Sequence, residues 1–444
     1  MADVQPFRGF RYNPEVAGGL SAAITPPYDI ISPQEQALYF TKSPHNVIRL
    51  EFGAEQPGDS ASSNKYTRAS STLKTWIEDR VLLREKSPAF YLVESRFTHG
   101  DSVKSRWCLI ARVRLEELNG GSIRPHEVTM KKPLQDRLQL LEACRAGFSP
   151  VMGIFRDGGK DSPVSLARNA CRRPPDQEAT DQGVTYRCWV VSDKALVSRI
   201  TAFFADRVLY IADGHHRYET ALNYAKQRRE LGLAIERSAD NFVMMSLMDS
   251  EDPGVVILPT HRLFHGLDAS QLAGLEQKLA RHFDLEELAP ASADRSRNMK
   301  NWLDILREGS RHGGTMFGLY GLKPGRFHLL RARNKAELQE MLPRDCPQVW
   351  MELDLAILHH AVLPAVLGID TTEKQMNHLE YTRDGAQALS GVDSGDCQLA
   401  IFVNPTPVSG VIDVADAGAR MPQKSTYFYP KAPAGLVINT LDEG

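Results

Sequence analysis

Residues 213–217, here called the DGHHR turn, are Asp213, Gly214, His215, His216 and Arg217. The glycine, the histidines and the arginine are of the kinds that bind phosphate. Residues 207–212, which are apolar after Arg207, predict a strand before the turn, and the spacing of residues 215–230 predicts a helix after it. Unbonded N–H groups and the dipole at the start of a helix attract an anion, most often phosphate. We therefore predict that Gly214, His215 and Arg217 bind a cofactor phosphate. Asp213 and His216 are predicted to act in catalysis.

Two other interpretations of the DGHHR turn remain open. Asp213 can be a helix N-cap, with two solvated histidines after it. Asp213, His215 and His216 are also potential metal ligands, but neighbouring residues on a helix diverge by about 100°. Both imidazoles on one ion would be awkward, so no metal site made by protein ligands alone is predicted.

The segment Ser122–Thr129 is the candidate for the reacting end of the site. A phosphoryl acceptor hydroxyl needs a carboxylate that takes its proton, and Glu127 is predicted to be this general base. Arg124 and His126 are predicted to bind the substrate. The alternative is a surface ion pair between Arg124 and Glu127.

Further candidates lie at turns and strand ends elsewhere in the chain. Asp29 follows two prolines and is a second candidate for substrate, base or magnesium contact; a purely structural turn is the alternative. Arg262 follows an apolar strand, where α/β sheets collect ligands, and is predicted to add charge to the phosphate site. Equally, it can merely cover the strand end. The last group is predicted to bind substrate, with an edge strand as the alternative: Lys424, Ser425 and Thr426.

The pattern of elements predicts a mixed α/β fold with several domains. Strands and helices alternate from Cys188 to Pro259, and an earlier apolar run, Asn46–Phe52, also predicts a strand. The length of 444 residues favours two to three domains, with expected bounds of 1–150, 151–265 and 266–444. The helical pair His359 and His360 is expected to pack in the core.

Composition excludes several function classes. Lys and Arg total 53 against 55 for Asp and Glu, so bulk charge does not favour nucleic acid binding. The N-terminus does not resemble a secretory signal, and the most apolar stretch contains charged residues and proline, so no membrane anchor is expected. Six widely spaced cysteines fit a reducing cytoplasm, without a disulfide framework or zinc site.

The motifs resemble known families. The DGHHR turn is similar to the phosphate-binding turn of the ParB, sulfiredoxin and free serine kinase superfamily, and the resemblance implies a strand–turn–helix site for nucleotide phosphates. A broader resemblance, to the bacterial and archaeal family called domain of unknown function 1015, is carried by five separated motifs: 26–32, 126–127, 213–218, 259–262 and 421–431.

These observations predict a nucleotide-dependent phosphotransferase, a small-molecule kinase similar to the free serine kinases. ATP or ADP with Mg²⁺ is the expected cofactor, and a small hydroxylated molecule is the expected substrate. A homo-oligomer is compatible with the sequence. The alternative is a regulator or scaffold that binds nucleotide at the same turn without chemistry.

Overall fold

The computed structural model describes residues 1–441 except Asn119, Asp157, Gly158, Lys160, His312 and Gly313, and omits the side chains of Thr372 and Met376. The described residues form two compact units. Unit 1 comprises Met1–Pro125, Thr129–Val256 and the residues from Phe428 onward; unit 2 comprises His126–Val128 and Ile257–Tyr427. Of the expected domain boundaries, residue 150 lies inside unit 1, and residue 265 lies close to the passage into unit 2.

Unit 1 is built on a mixed sheet. Its strands up to residue 249 are β1 (Val4–Gln5), β2 (Phe10–Tyr12), β3 (Leu82–Arg84), β4 (Phe90–His99), β5 (Ser102–Arg114), β6 (Ile123–Arg124), β7 (Ala146–Gly147), β8 (Val151–Phe155), β9 (Gln177–Asp181), β10 (Val184–Val191), β11 (Leu209–Asp213) and β12 (Phe242–Asp249). Within the described chain, nine strands share this sheet, in the order β6-β11-β8-β12-β5-β4-β10-β9 with β1 beside β5. β11 lies parallel to β6 and antiparallel to β8. The DGHHR turn therefore follows a strand one position in from the sheet edge.

Unit 1 also contains helices. They are α1 (Leu20–Ala23), α2 (Pro33–Lys42), α3 (Ile48–Glu51), α4 (Lys65–Glu78), α5 (Lys131–Cys144), α6 (Pro163–Ala170), α7 (Lys194–Phe204) and α8 (His215–Glu230), with 3-10 helices at Tyr28–Ile30 and Ala239–Asn241. On α8, Tyr218 and Leu222 are buried in one hydrophobic cluster with Ile211 and Leu247 of the sheet. Each such side chain contributes about 1.5–3 kcal/mol by leaving water. This packing fixes the start of α8 against the end of β11.

Unit 2 has its own sheet, which is antiparallel in all its recorded pairs. Its strands are β14 (His261–Phe264), β15 (Phe283–Leu288), β16 (Met316–Tyr320), β17 (Phe327–Ala332), β18 (Leu379–Thr382) and β19 (Leu399–Phe402), preceded by β13 (Val256–Ile257) at the passage from unit 1. The order is β15-β17-β16-β19-β14-β18. Its helices are α9 (Ala269–Leu272), α10 (Leu275–Ala280), α11 (Arg295–Ser310), α12 (Lys335–Glu340), α13 (Gln348–Met351), α14 (Asp354–Ile357), α15 (Leu363–Leu367), α16 (Thr372–His378), α17 (Gly385–Ser394) and α18 (Val408–Asp416), with a π-helix at Leu358–Val362. The chain then returns to unit 1 with β20 (Phe428–Tyr429) and β21 (Asn439–Thr440).

The mixed α/β class expected from the sequence is confirmed, but the strand predicted over Asn46–Phe52 is wrong. Residues Ile48–Glu51 form α3, and the Oδ1 atom of Asn46 accepts the N–H of Ile48 at 2.9 Å as the helical turn begins. In this segment apolar Ile48 and Leu50 alternate with charged Arg49 and Glu51, which is the period of a strand, and a helix of a single turn is too short to show helical spacing. Separately, none of the described helices is both long and apolar enough to cross a bilayer.

Candidate functional site

The DGHHR turn joins β11 directly to α8. Gly214 is the N-cap of α8 and has φ 86°, a left-handed conformation that favours glycine. A Cβ atom at this position would lie 2.9 Å from Nη2 of Arg217, because the guanidinium folds back over the glycine. Gly214 therefore provides both the backbone angle of the turn and the space for Arg217.

The carboxylate of Asp213 is held between two cations. Its Oδ2 atom accepts from Nη2 of Arg217 at 3.0 Å, and its Oδ1 atom accepts from Nζ of Lys431. The three side chains are largely buried, with 9% of Arg217, 13% of Asp213 and 6% of Lys431 exposed. The buried cluster thus contains two positive charges and one negative charge, which makes the end of β11 attractive to an anion.

Arg217 continues the network into the interior. Its Nη1 atom donates to Oγ of Ser149 at 3.0 Å and to the carbonyl of Pro150 at 2.7 Å. Ser149 in turn donates its hydroxyl to Oε1 of Glu51 at 2.7 Å. The chain of contacts fixes the guanidinium plane and links the DGHHR turn to a second buried carboxylate.

A cavity of about 80 Å³ lies beside this network within unit 1. Its polar lining includes Glu51, Arg137, Ser149 and Arg217, and the rest of its wall is mostly apolar. Arg137 stacks on the ring of Tyr28, with Cζ 3.9 Å from the ring centroid. Burial raises the pKa of Tyr28, as does the charge of Asp29, while Arg137 and Arg217 act in the opposite direction. The cavity is large enough for a few water molecules or a small organic group.

The two histidines of the turn have different surroundings. His215 is buried, with 4% of its surface exposed. His216 is partly exposed, and its Nε2 atom accepts the N–H of Met130 at 2.8 Å. The Nε2 atom of His216 is therefore engaged by the backbone that leads into α5.

The predicted general base belongs to unit 2. Thr426 lies between His126 and Glu127: its Oγ1 atom is 2.9 Å from Nε2 of His126 and donates to Oε1 of Glu127 at 3.5 Å. The carbonyl of His126 accepts the N–H of Met421 at 2.7 Å. The structure thus brings His126 and Glu127 of the predicted reacting end together with Thr426 of the second predicted substrate group.

Arg262 lies in the core of unit 2 and is completely buried. Its guanidinium donates to Nε2 of His359 at 3.2 Å, to the carbonyl of Thr260, and to the carbonyl of Lys424 at 3.3 Å. Burial lowers the pKa of Arg262 to about 10. These partners hold the side chain inside the unit, and this placement does not support the predicted phosphate contact.

The remaining predicted residues are spread over both units. Asp29 is exposed on the 3-10 turn in unit 1, and Arg124 ends β6, paired with Tyr210 of β11. In unit 2, Lys424 is exposed, and Ser425 is buried with its hydroxyl donated to the carbonyl of Pro422 at 2.6 Å. Within unit 1, Arg124 is therefore the predicted substrate residue whose strand adjoins β11.

Sequence reasoning missed three residues that contact or extend the turn network. Lys431 ends the motif 421–431, but the assignment stopped at Thr426 because the lysine after Pro430 has no local feature that distinguishes it. Glu51 was missed because its segment was assigned to a strand, whereas it ends α3. Ser149 was missed because it lies in a short connection before β8. Their contacts span between 68 and 218 residues of sequence, which no local pattern reports.

The turn does not offer a ready metal site. Both oxygens of Asp213 accept from cations. Among the described residues, no group of three His, Cys, Asp or Glu side chains is arranged to hold a metal ion. The residues of the turn therefore do not form a Mg²⁺ site by themselves.

Comparisons with known proteins place the chain in a family. A family model described as "Protein of unknown function (DUF1015)" matches residues 4–356. No curated protein matches. Similar solved structures include a conserved hypothetical protein from Pyrococcus furiosus (13% identity, covering 70% of this chain and 90% of that chain, TM-score 0.34), free serine kinase in complex with AMP (13%, 71% and 89%, 0.35) and SbnI with a C-terminal truncation from Staphylococcus aureus (12%, 73% and 84%, 0.33). Since the family model spans most of the sequence, the chain belongs to the DUF1015 family, as its separated motifs predict.

Proposed function

We propose that the protein is a nucleotide-dependent phosphotransferase that binds ATP or ADP at the DGHHR turn and acts on a small hydroxylated molecule. The observation that carries this proposal is the junction itself, where Gly214 opens a long helix beside two buried cations, Arg217 and Lys431. Backbone N–H groups, the helix dipole and charged donors then act on one ligand group.

Binding at this junction is an exchange of partners. A phosphate group that approaches Gly214 competes with Asp213 for Arg217 and Lys431, because both cations already donate to that carboxylate. Arg217 stays oriented during the exchange through its bonds to Ser149 and Pro150. The protein therefore supplies a preformed, largely buried cationic cluster instead of ordering long side chains after binding.

Transfer requires a base for the acceptor hydroxyl. We propose that a carboxylate, Glu127, takes the hydroxyl proton as the hydroxyl oxygen bonds to phosphorus and the bond between phosphorus and the nucleotide oxygen breaks. Glu51 is a second candidate, since it is a buried carboxylate joined to Arg217 through Ser149. Neither role involves a metal held by the protein.

The test measures nucleotide binding by calorimetry and consumption of ATP or ADP with serine and related metabolites. Arg217→Ala should weaken binding about tenfold or more, since a charge-assisted contact contributes about 1.5–3 kcal/mol. Arg199→Ala is the matched control, since Arg199 lies on α7 with 61% of its side chain exposed. Unchanged binding and turnover in Arg217→Ala would exclude the turn as the site.

The variants Glu127→Gln and Glu51→Gln test which of the two carboxylates is the general base. The variant that lacks the base should keep nucleotide affinity and lose at least a hundredfold in turnover, as is usual for general-base removal.

The alternative function, a nucleotide-binding regulator, is favoured by the commitment of both Asp213 oxygens to protein donors. It predicts saturable binding without turnover, and no effect of either substitution on binding.

A further inference from the structure

Arg106 is a buried cation without the partners that other buried arginines have. It lies in β5 with 2% of its surface exposed. In the described part of the chain, no atom accepts a hydrogen bond from its Nε or Nη1. By comparison, Arg137 and Arg217 each donate to a carboxylate and to a backbone carbonyl.

A buried guanidinium with two nitrogens that lack acceptors is unfavourable for the folded protein. A charge removed from water without an opposing charge or acceptor destabilises the native state by several kcal/mol. Burial lowers the pKa of Arg106, while the carboxylates of Asp252 and Asp213 are among the groups that act against this effect. Asp252 already accepts the N–H groups of Trp107 and Gly254, at 3.3 and 2.7 Å.

The sheet register places Arg106 on the same face as the cluster at the DGHHR turn. Tyr186 pairs with Ser95, and Ser95 pairs with Arg106, so these three side chains lie on one face of the sheet. On that face Tyr186 donates its hydroxyl to the carbonyl of Lys431 at 3.4 Å. The amine of Lys431 in turn donates to Asp213.

We propose that Arg106 binds an oxyanion, the phosphate or carboxylate group of a small ligand that lies on this face of the sheet. The oxygens of such a group provide the acceptors that Nε and Nη1 lack and neutralise the buried charge. The proposal goes beyond phosphotransfer, since it requires neither turnover nor occupation of the DGHHR turn.

The proposal predicts that Arg106→Met has opposite effects on stability in the absence of ligand and on the response to an added anion. Without ligand, the variant should be as stable as the parent or melt at a higher temperature, because an unpartnered buried charge has been replaced by an apolar chain of similar length. With anion present, the variant should lose the rise in melting temperature, and its affinity for the anion should fall about tenfold or more. The probes are inorganic phosphate, acetate and AMP in separate arms, measured by thermal melting and calorimetry; the arm that responds identifies the group.

Arg114→Met is the matched control on the same strand. Arg114 donates to Asp3 at 2.8 Å and to the carbonyl of Glu236 at 3.0 Å, so its loss should lower the melting temperature and leave the anion response intact. Arg106→Gln is measured alongside, in case the methionine variant does not fold, and should show the same loss of anion binding.

The outcomes separate this proposal from the proposed function. An anion response retained in Arg106→Met or Arg106→Gln overturns the anion role, and so does the absence of a response to every probe in the parent. If the anion response is lost in the Arg106 variants but kept in Arg217→Ala, the Arg106 site is supported, and the ligand bound there does not also contact the DGHHR turn. If both sets of variants lose it, one ligand spans both positions and both proposals stand.

Discussion

At the scale of single residues, the candidate site contains its own anion. Asp213 occupies both Arg217 and Lys431, so a phosphate must displace a carboxylate before it gains either cation. Asp213 therefore stabilises the ligand-free protein and opposes binding through the same contacts. This competition makes opposite predictions for removing the anion and for removing a cation.

Asp213→Asn is expected to bind inorganic phosphate more tightly, by about three- to tenfold, because the amide no longer competes for the two cations. The same variant should lose about 3 kcal/mol of unfolding free energy, since buried cations lose their counter-ion. Calorimetric titration and urea denaturation measure the two effects. Asp206→Asn, at a largely exposed position before β11, is the control; weaker phosphate binding by Asp213→Asn would contradict the competition.

Lys431 and Lys424 provide a matched pair from one motif. Lys431 is buried and donates to Asp213, whereas Lys424 is exposed in unit 2. We expect Lys431→Met to reduce phosphate affinity about tenfold through loss of one charge-assisted contact, and Lys424→Met to leave it unchanged. Equal affinities in the two variants would show that Lys431 has only a structural role.

The residue level also shows where sequence reasoning stops. Asp213 and Arg217 were predictable because they lie in one short strand–turn–helix segment whose residue types can be read locally. Lys431 was not, because its contact with Asp213 bridges 218 residues. The burial of His215 and Arg262 likewise depends on how distant elements pack, which composition and spacing do not specify.

At the scale of elements, the strand–turn–helix at residues 209–230 was the most predictable part of the site. The buried stripe of α8 has helical spacing, and glycine marks the change from strand to helix. The assignment over Asn46–Phe52 failed because α3 spans only four residues and is buried. The local pattern therefore identified the proposed phosphate-binding element and missed the element that carries Glu51.

Gly214→Ala tests the turn, with Gly232→Ala as its control. Both glycines have positive φ, 86° and 68°, so each alanine should destabilise the protein by about 1 kcal/mol. Only at Gly214 would the new Cβ meet Arg217; at Gly232 there is open space. We expect both variants to unfold at lower urea concentration and Gly214→Ala alone to lose phosphate affinity. A similar loss in Gly232→Ala would mean that general destabilisation is responsible.

At the scale of the whole molecule, the two units should respond differently to acid. In unit 2, burial and then the charge of Arg262 lower the pKa of His359 well below its ordinary value and that of His261 to about 4. His359 accepts from Nε of Arg262, which requires a neutral ring. Because both folded-state pKa values lie below the unfolded value of about 6.5, their contribution to stability is present above that pH and is lost as pH falls toward 4.

His359→Gln should reduce this acid sensitivity, because the amide oxygen can accept from Arg262 without titrating. Hydrogen exchange of unit 2 peptides, compared at pH 7 and pH 5 after correction for intrinsic exchange, measures the change. The parent should lose more protection between these pH values than the variant, and unit 1 peptides provide the internal control. An equal loss in parent and variant would place the acid response elsewhere.

The discontinuity of unit 1 has a consequence for how the protein is made. Ribosomes add about 5–20 residues per second and domains generally fold in the order of synthesis, yet Lys431, β20 and β21 follow the whole of residues 257–427. β21 pairs with β7, and Ile438 bridges to Phe10. Unit 1 therefore cannot complete these pairings until the residues after 427 have been synthesised. A nascent chain halted at residue 256 has Asp213 and Arg217 but lacks the lysine that completes their cluster.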